Sequence, residues 1–152
     1  MELSFLKKLL SRHEITQEVP STRMISKWAN NLLEVLFPEV TENRLDSVQE
    51  IINTLDKLAL ELKSLLYNTR SCDHTRDEKI VIDFFNRIPG VYDKLLLDIN
   101  AFVDGDPAAW STFEVIRSYP GFYAIYIYRI SHILHQEGVP ILPRILSEYA
   151  HS

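Results

Sequence analysis

Residues 104–152 read DGDPAAWSTFEVIRSYPGFYAIYIYRISHILHQEGVPILPRILSEYAHS. Asp106-Pro107 opens a compact polar turn, and Tyr119-Pro120-Gly121-Phe122-Tyr123 feeds a long segment whose apolar residues recur at spacings of three and four. Ser111-Thr112-Phe113-Glu114 has the form of a capping box, so a short helix starts there and Tyr119-Pro120-Gly121 ends it. The spacing then predicts a helix over 122–136. Gly138 fits the C′ position beyond it, Pro140 follows, and a last helix is predicted over 141–151. The chain stops at Ser152 inside that amphipathic pattern, with no polar tail, which reads as a cut rather than a designed end.

Working back towards the N-terminus, the pattern stays helical. Residues 2–11 form an amphipathic stretch with Leu3, Leu6, Leu9 and Leu10 on one side. After a polar connector ending in Val19-Pro20, Ser21 or Thr22 can cap a helix carrying Ile25, Trp28, Leu32, Val35 and Leu36, which Pro38 stops. The longest periodic segment is predicted over 43–68, with Leu45, Val48, Ile52, Leu55, Leu62, Leu65 and Leu66 on one stripe and Ala59 at its narrow place. Thr75-Arg76-Asp77-Glu78 reads as another capping box, opening a helix that meets Pro89-Gly90. A helical pattern resumes over 91–102. The fold class expected is all-α, without internal repeats or low-complexity segments.

Composition narrows the function classes. At 152 residues the chain can bury a substantial core, and 46% hydrophobic with 24% charged residues is ordinary for a globular protein. Four glycines are too few for the turns of an all-β fold. A net charge of −5 without a basic stripe argues against nucleic acid as a partner. No apolar run approaches the length that spans a bilayer, so no membrane partner is expected either. The start of the chain lacks the apolar core and cleavage site of a signal peptide. Cys72 is the single cysteine, which excludes an internal disulfide and suits a reducing cytoplasm.

Few residues carry chemistry. Asp106 before Pro107 makes a good helix start by capping free N–H groups, yet a carboxylate has about four acceptor sites and can also grip an ammonium. Asp104 reads as a solvated neighbour. His132 and His135 stand three apart, but a metal site needs a third ligand and an orienting second shell, so no metal is expected. Tyr119, Phe122, Tyr123, Tyr126 and Ile130 share one helix face and read as core or subunit contact. Arg129 is placed to pair with a carboxylate such as Asp98 or Glu114. Cys72 beside Asp73, with no nearby base, does not read as a nucleophile.

The series Asp106-Pro107-Ala108, Tyr119-Pro120-Gly121-Phe122, Tyr128-Arg129, His132, Gly138-Val139-Pro140 and Glu148-Tyr149-Ala150-His151-Ser152 resembles, in order and spacing, the helical N-terminal part of bacterial serine O-acetyltransferases. The match covers the last third of the chain; residues before about 100 share only helical, apolar periodicity. In that family a left-handed parallel β-helix of hexapeptide turns follows, and this chain contains none. The resemblance implies that Asp106 is substrate-binding and helps hold L-serine. The catalytic histidine and its aspartate partner would lie in the β-helix, so no catalytic residue is expected here and none of the five histidines inherits that role.

The same resemblance implies that acetyl-CoA is the co-substrate, bound by the other half, with no cofactor bound by this chain. It also implies a homo-oligomer, trimer or hexamer, with O-acetylserine sulfhydrylase as a possible partner. Residues 1–152 would then be one helical domain, with 1–70 serving assembly through the stripes of 24–36 and 45–66, and 73–152 lying on the substrate side. The chain alone is expected to be inactive. The alternative is a non-enzymatic helical scaffold or oligomerisation module in which Asp106 only caps a helix. Homoserine as acceptor, inhibition by cysteine, and the roles of Arg129 and His132 stay open at this stage.

Overall fold

Ser21, Ser47 and Ser111 each stand just before a helix, and each side chain accepts the backbone N–H three residues on. The donors are Met24 at 3.2 Å, Glu50 at 3.1 Å and Glu114 at 3.2 Å. Such caps satisfy N–H groups that have no partner inside the helix, so these boundaries are written locally. The structure is a computed structural model that describes residues 1–15, 19–69, 73–108 and 111–151. Its described residues form seven α-helices and no strand: α1 Leu3–Glu14, α2 Thr22–Leu36, α3 Val48–Tyr67, α4 Asp77–Gly105, α5 Thr112–Ser118, α6 Pro120–Gln136 and α7 Leu142–Ala150. The all-α expectation holds. Cys72 lies outside the described residues.

The core lies between α2, α3, α4, α6 and α7. Trp28, Leu32, Phe84, Leu95, Phe122, Tyr126, Ile130 and Leu146 are buried together, as the three- and four-residue spacings predict. Polar tips inside this core are satisfied across helices. Trp28 Nε1 donates to the Leu58 carbonyl at 2.9 Å, joining α2 to α3. Tyr126 donates its hydroxyl to the Ala29 carbonyl at 2.5 Å, joining α6 to α2. Burial pushes the Tyr126 phenol well above its usual pKa, so it stays a donor.

Four expectations are corrected. The third helix starts at Val48 rather than near residue 43, because Ser47 is its cap; Glu50 reaches back to accept the Asp46 N–H at 2.6 Å. Its stripe is covered only in its second half: Leu58, Leu62, Leu65 and Leu66 are buried, whereas Val48 and Ile52 are exposed. The Thr75 capping box does not form. Asp73 accepts both the Thr75 N–H, at 3.0 Å, and its hydroxyl, at 3.1 Å, and the N-cap of α4 is Arg76, whose side chain makes no capping bond. Finally, the α2 stripe packs within the chain, with Ile25, Trp28, Ala29, Leu32 and Leu33 in the core.

The break at Pro89-Gly90 is also absent. α4 is one helix with Pro89 inside it. The buried stripe Phe84, Ile88, Val91, Leu95 and Ile99 runs through this point at helical spacing, while Pro89 and Gly90 face solvent. Core burial on one face outweighs one missing hydrogen bond on the other. Pro89→Ala is therefore expected to restore that bond and raise stability by about 1–3 kcal/mol. Urea titration followed by circular dichroism measures this; a loss of stability would mean that α4 needs the proline.

The C-terminal connection follows the sequence closely. Gly138 has φ 78°, its N–H bonds to the His135 carbonyl at 3.0 Å, and the Val139 N–H bonds to the Leu134 carbonyl at 3.0 Å. Those two bonds form a Schellman cap, for which the left-handed conformation of glycine is suited. The last helix is one residue shorter at each end than expected. Ile141 has φ 68° and ψ −56°, with the Leu142 N–H bonded to the Pro140 carbonyl at 2.7 Å, a γ-turn that costs a β-branched residue some strain.

Candidate functional site

α4 carries the chain to Gly105, where the Asp106 N–H makes the last bond of the helix, to the Phe102 carbonyl at 3.2 Å. Asp106 is thus the C-cap of α4 and not the start of a helix, which corrects the expectation for Asp106-Pro107. Asp106, placed before proline, is extended at φ −118° and ψ 110°. Its Oδ1 accepts the Ala108 N–H at 2.9 Å, an Asx-type turn. Its Oδ2 accepts the hydroxyl of Tyr119 at 3.0 Å. Asp106 is half-buried, whereas Asp104, Pro107 and Ala108 are exposed, so the carboxylate is reachable from solvent.

Tyr119 is held from several sides. It is the C-cap of α5 and the N-cap of α6, with Pro120 in the first position of α6. Its ring meets Phe102 edge-on, centroids 6.2 Å apart at 80°. Gly121 makes room for this contact: a Cβ there would stand 3.1 Å from Phe102 Cζ. The short helix α5 therefore acts as a strut that returns the chain from Asp106 to Tyr119. Burial, and then the bond to Asp106, push the Tyr119 phenol above its ordinary pKa.

Tyr119 also borders an open cavity of about 530 Å³, together with Asn30, Glu34, Arg117, Tyr123 and Tyr149. Tyr123 donates to Asn30 Oδ1 at 2.5 Å. Burial, then the neighbouring Tyr149, push its phenol up to about 12. The sequence placed Tyr119 and Tyr123 on an aromatic stripe with Phe122, Tyr126 and Ile130. In the structure Phe122, Tyr126 and Ile130 are core, and the other two are partly buried hydrogen-bonding residues.

Arg129 pairs with Asp98, and not with Glu114, through two bonds: Nε to Oδ2 at 2.7 Å and Nη2 to Oδ1 at 2.9 Å. This fork ties α6 to α4, and the Asp98 carboxylate raises the guanidinium pKa further. It is a structural clamp, away from Asp106 along α4. His132 is exposed and stacks on Tyr128, centroids 5.8 Å apart; His135 is exposed in the last turn of α6. No cluster of metal-ligating side chains occurs among the described residues. Sequence reasoning missed the Tyr119–Asp106 bond. The available signal was a tyrosine fixed before proline just beyond the helix that follows the Asp-Pro turn.

Comparison with known proteins gives a consistent answer. No protein-family model matches the chain. A plasmid-borne serine acetyltransferase of Synechococcus elongatus is 30% identical over 152 residues, covering 88% of this chain and 48% of the relative. The serine acetyltransferase of Bacillus subtilis is 45% identical over 51 residues, 34% of this chain and 24% of that protein. The crystal structure of Entamoeba histolytica serine acetyltransferase 1 in complex with L-cysteine superposes with a TM-score of 0.69 and 28% identity, over 86% of this chain and 46% of that one. The chain thus spans about half the length of the Synechococcus relative and of the Entamoeba structure, and less of the shorter match. In sequence and in fold, this chain is homologous to the helical part of serine acetyltransferases.

Proposed function

We propose that this chain is the helical part of a serine O-acetyltransferase, in which Asp106 helps hold L-serine. The observation that supports this most directly is the state of Asp106: oriented by two donors, half-buried, and open to solvent at an exposed turn. A carboxylate in that state keeps acceptor capacity for an ammonium.

In the reaction, the serine hydroxyl oxygen attacks the thioester carbon of acetyl-CoA. The new C–O bond forms as the C–S bond breaks, the hydroxyl proton passes to a general base, and CoA leaves as thiol after taking a proton. Deprotonating so weak a nucleophile needs a base within hydrogen-bond reach. That base, its aspartate partner and the acetyl-CoA groove belong, on this reading, to a β-helix half beyond the chain.

Residues 1–70 would serve assembly of the oligomer. None of the α1 residues is buried, and Leu3, Leu6, Leu9 and Leu10 are exposed on it, as are Val48, Ile51 and Ile52 on α3. Residues 73–152 would form the substrate side, although α2 packs on α7 and joins the two parts into one core. A cytoplasmic location and a docked O-acetylserine sulfhydrylase belong to the same proposal. No helix among the described residues is long and apolar enough to cross a membrane.

The test has two arms. The 152-residue chain, given acetyl-CoA and serine, is expected to release no CoA above a blank. A reading frame that continues into repeats of the form Leu/Ile/Val-Gly-x-x-x-x should yield a product that does. Serine-dependent CoA release by the chain alone would show that the catalytic base lies here; an inactive full-length product would favour the scaffold reading instead.

A further inference from the structure

We infer that Tyr119 is a positioning residue for Asp106, its phenol fixing the plane in which that carboxylate grips an ammonium. The inference rests on the proposed role of Asp106 in binding serine.

The terminal torsion of an aspartate is broad, so one hydrogen bond from its own turn does not fix the carboxylate plane. The Ala108 N–H supplies that local bond on Oδ1, at 2.9 Å. The Tyr119 hydroxyl supplies a second on Oδ2, at 3.0 Å, from the far side of α5. Two donors among the described residues, on different oxygens and brought in by separate pieces of backbone, leave the carboxylate little freedom to turn.

Tyr119 is well suited to this task. Pro120 and the two helix ends restrict its backbone, and Phe102 holds its ring where Gly121 leaves space. Its hydroxyl is protonated at neutral pH, as a phenol ordinarily is, and burial and the bond to Asp106 move it further from titrating there. The carboxylate therefore takes its orientation from the helical scaffold, as a precise binding group requires.

Tyr119→Phe separates orientation from packing, because it keeps the ring and removes only the hydroxyl. In the 152-residue chain, the amide proton resonance of Ala108 is expected to shift on Tyr119→Phe, in the direction seen for Asp106→Ala but by less. In the full-length protein, Tyr119→Phe is expected to raise the serine KM about tenfold while the acetyl-CoA KM stays unchanged and Tm falls by only a few degrees. The double variant Asp106→Asn/Tyr119→Phe should be no worse than Asp106→Asn alone, as expected for groups that act as a unit.

An unmoved Ala108 resonance would overturn the orienting role. So would a serine KM that answers to Asp106→Asn but not to Tyr119→Phe, and that outcome leaves the role of Asp106 intact. If Asp106→Asn itself spares the serine KM, the binding role of Asp106 falls, and the inference with it.

Discussion

On the proposed function, Asp106→Asn in the full-length protein is expected to raise the serine KM roughly 10- to 100-fold while leaving the acetyl-CoA KM within about twofold. The asparagine is nearly isosteric, and its carbonyl can still accept the Ala108 N–H that Asp106 Oδ1 accepts now. It has lost the charge, however, and its amide turns donors towards the place where an ammonium would sit. A charge-assisted contact becomes a neutral or opposed one. Steady-state kinetics with each substrate varied in turn measures the split. Equal effects on both KM values would mean that the substitution disturbs the fold or the chemical step, and would reject a serine-specific role.

Trp28→Ala is expected to remove about 3–5 kcal/mol of stability, a large part of what a domain of this size has. Trp28 is almost fully buried, packs 5.5 Å from the Phe84 ring, and donates Nε1–H to the Leu58 carbonyl. Truncation opens a cavity where α2, α3 and α4 meet and removes a buried bond between two helices. Trp28→Phe should cost much less, of the order of the hydrogen bond plus a small volume change, about 1–2 kcal/mol. Urea unfolding followed by far-ultraviolet circular dichroism compares the two. A cost below about 1 kcal/mol for Trp28→Ala would mean that the α2–α3 seam is not part of the cooperative core.

Much of the helix pattern was legible because its causes are local. Ser21 and Ser111 cap where their spacing to the next apolar turn places them, and Tyr119-Pro120-Gly121 divides α5 from α6 by backbone restriction alone. Gly138 ends α6 because its left-handed conformation closes the Schellman cap. The carboxylate at 106 could be singled out from the Asp-Pro-Ala motif, but its surroundings could not. Local reasoning also failed at Thr75, whose N–H and hydroxyl both turn to Asp73 while the cap of α4 falls on Arg76, and at Pro89, where a breaker is overruled by burial on the opposite face.

An all-α chain, most helix ends and the pool of apolar residues from which the core is drawn follow from residue order alone, since periodicity and capping involve neighbours within a turn or two. Helix packing was needed to bury the α2 stripe inside the chain, to leave Val48 and Ile52 of α3 uncovered, to pair Arg129 with Asp98 and to bring Tyr119 to Asp106. Those outcomes depend on how whole helices pack. A side chain offers the same donor or apolar face to several possible partners, and the fit of the packed helices selects among them.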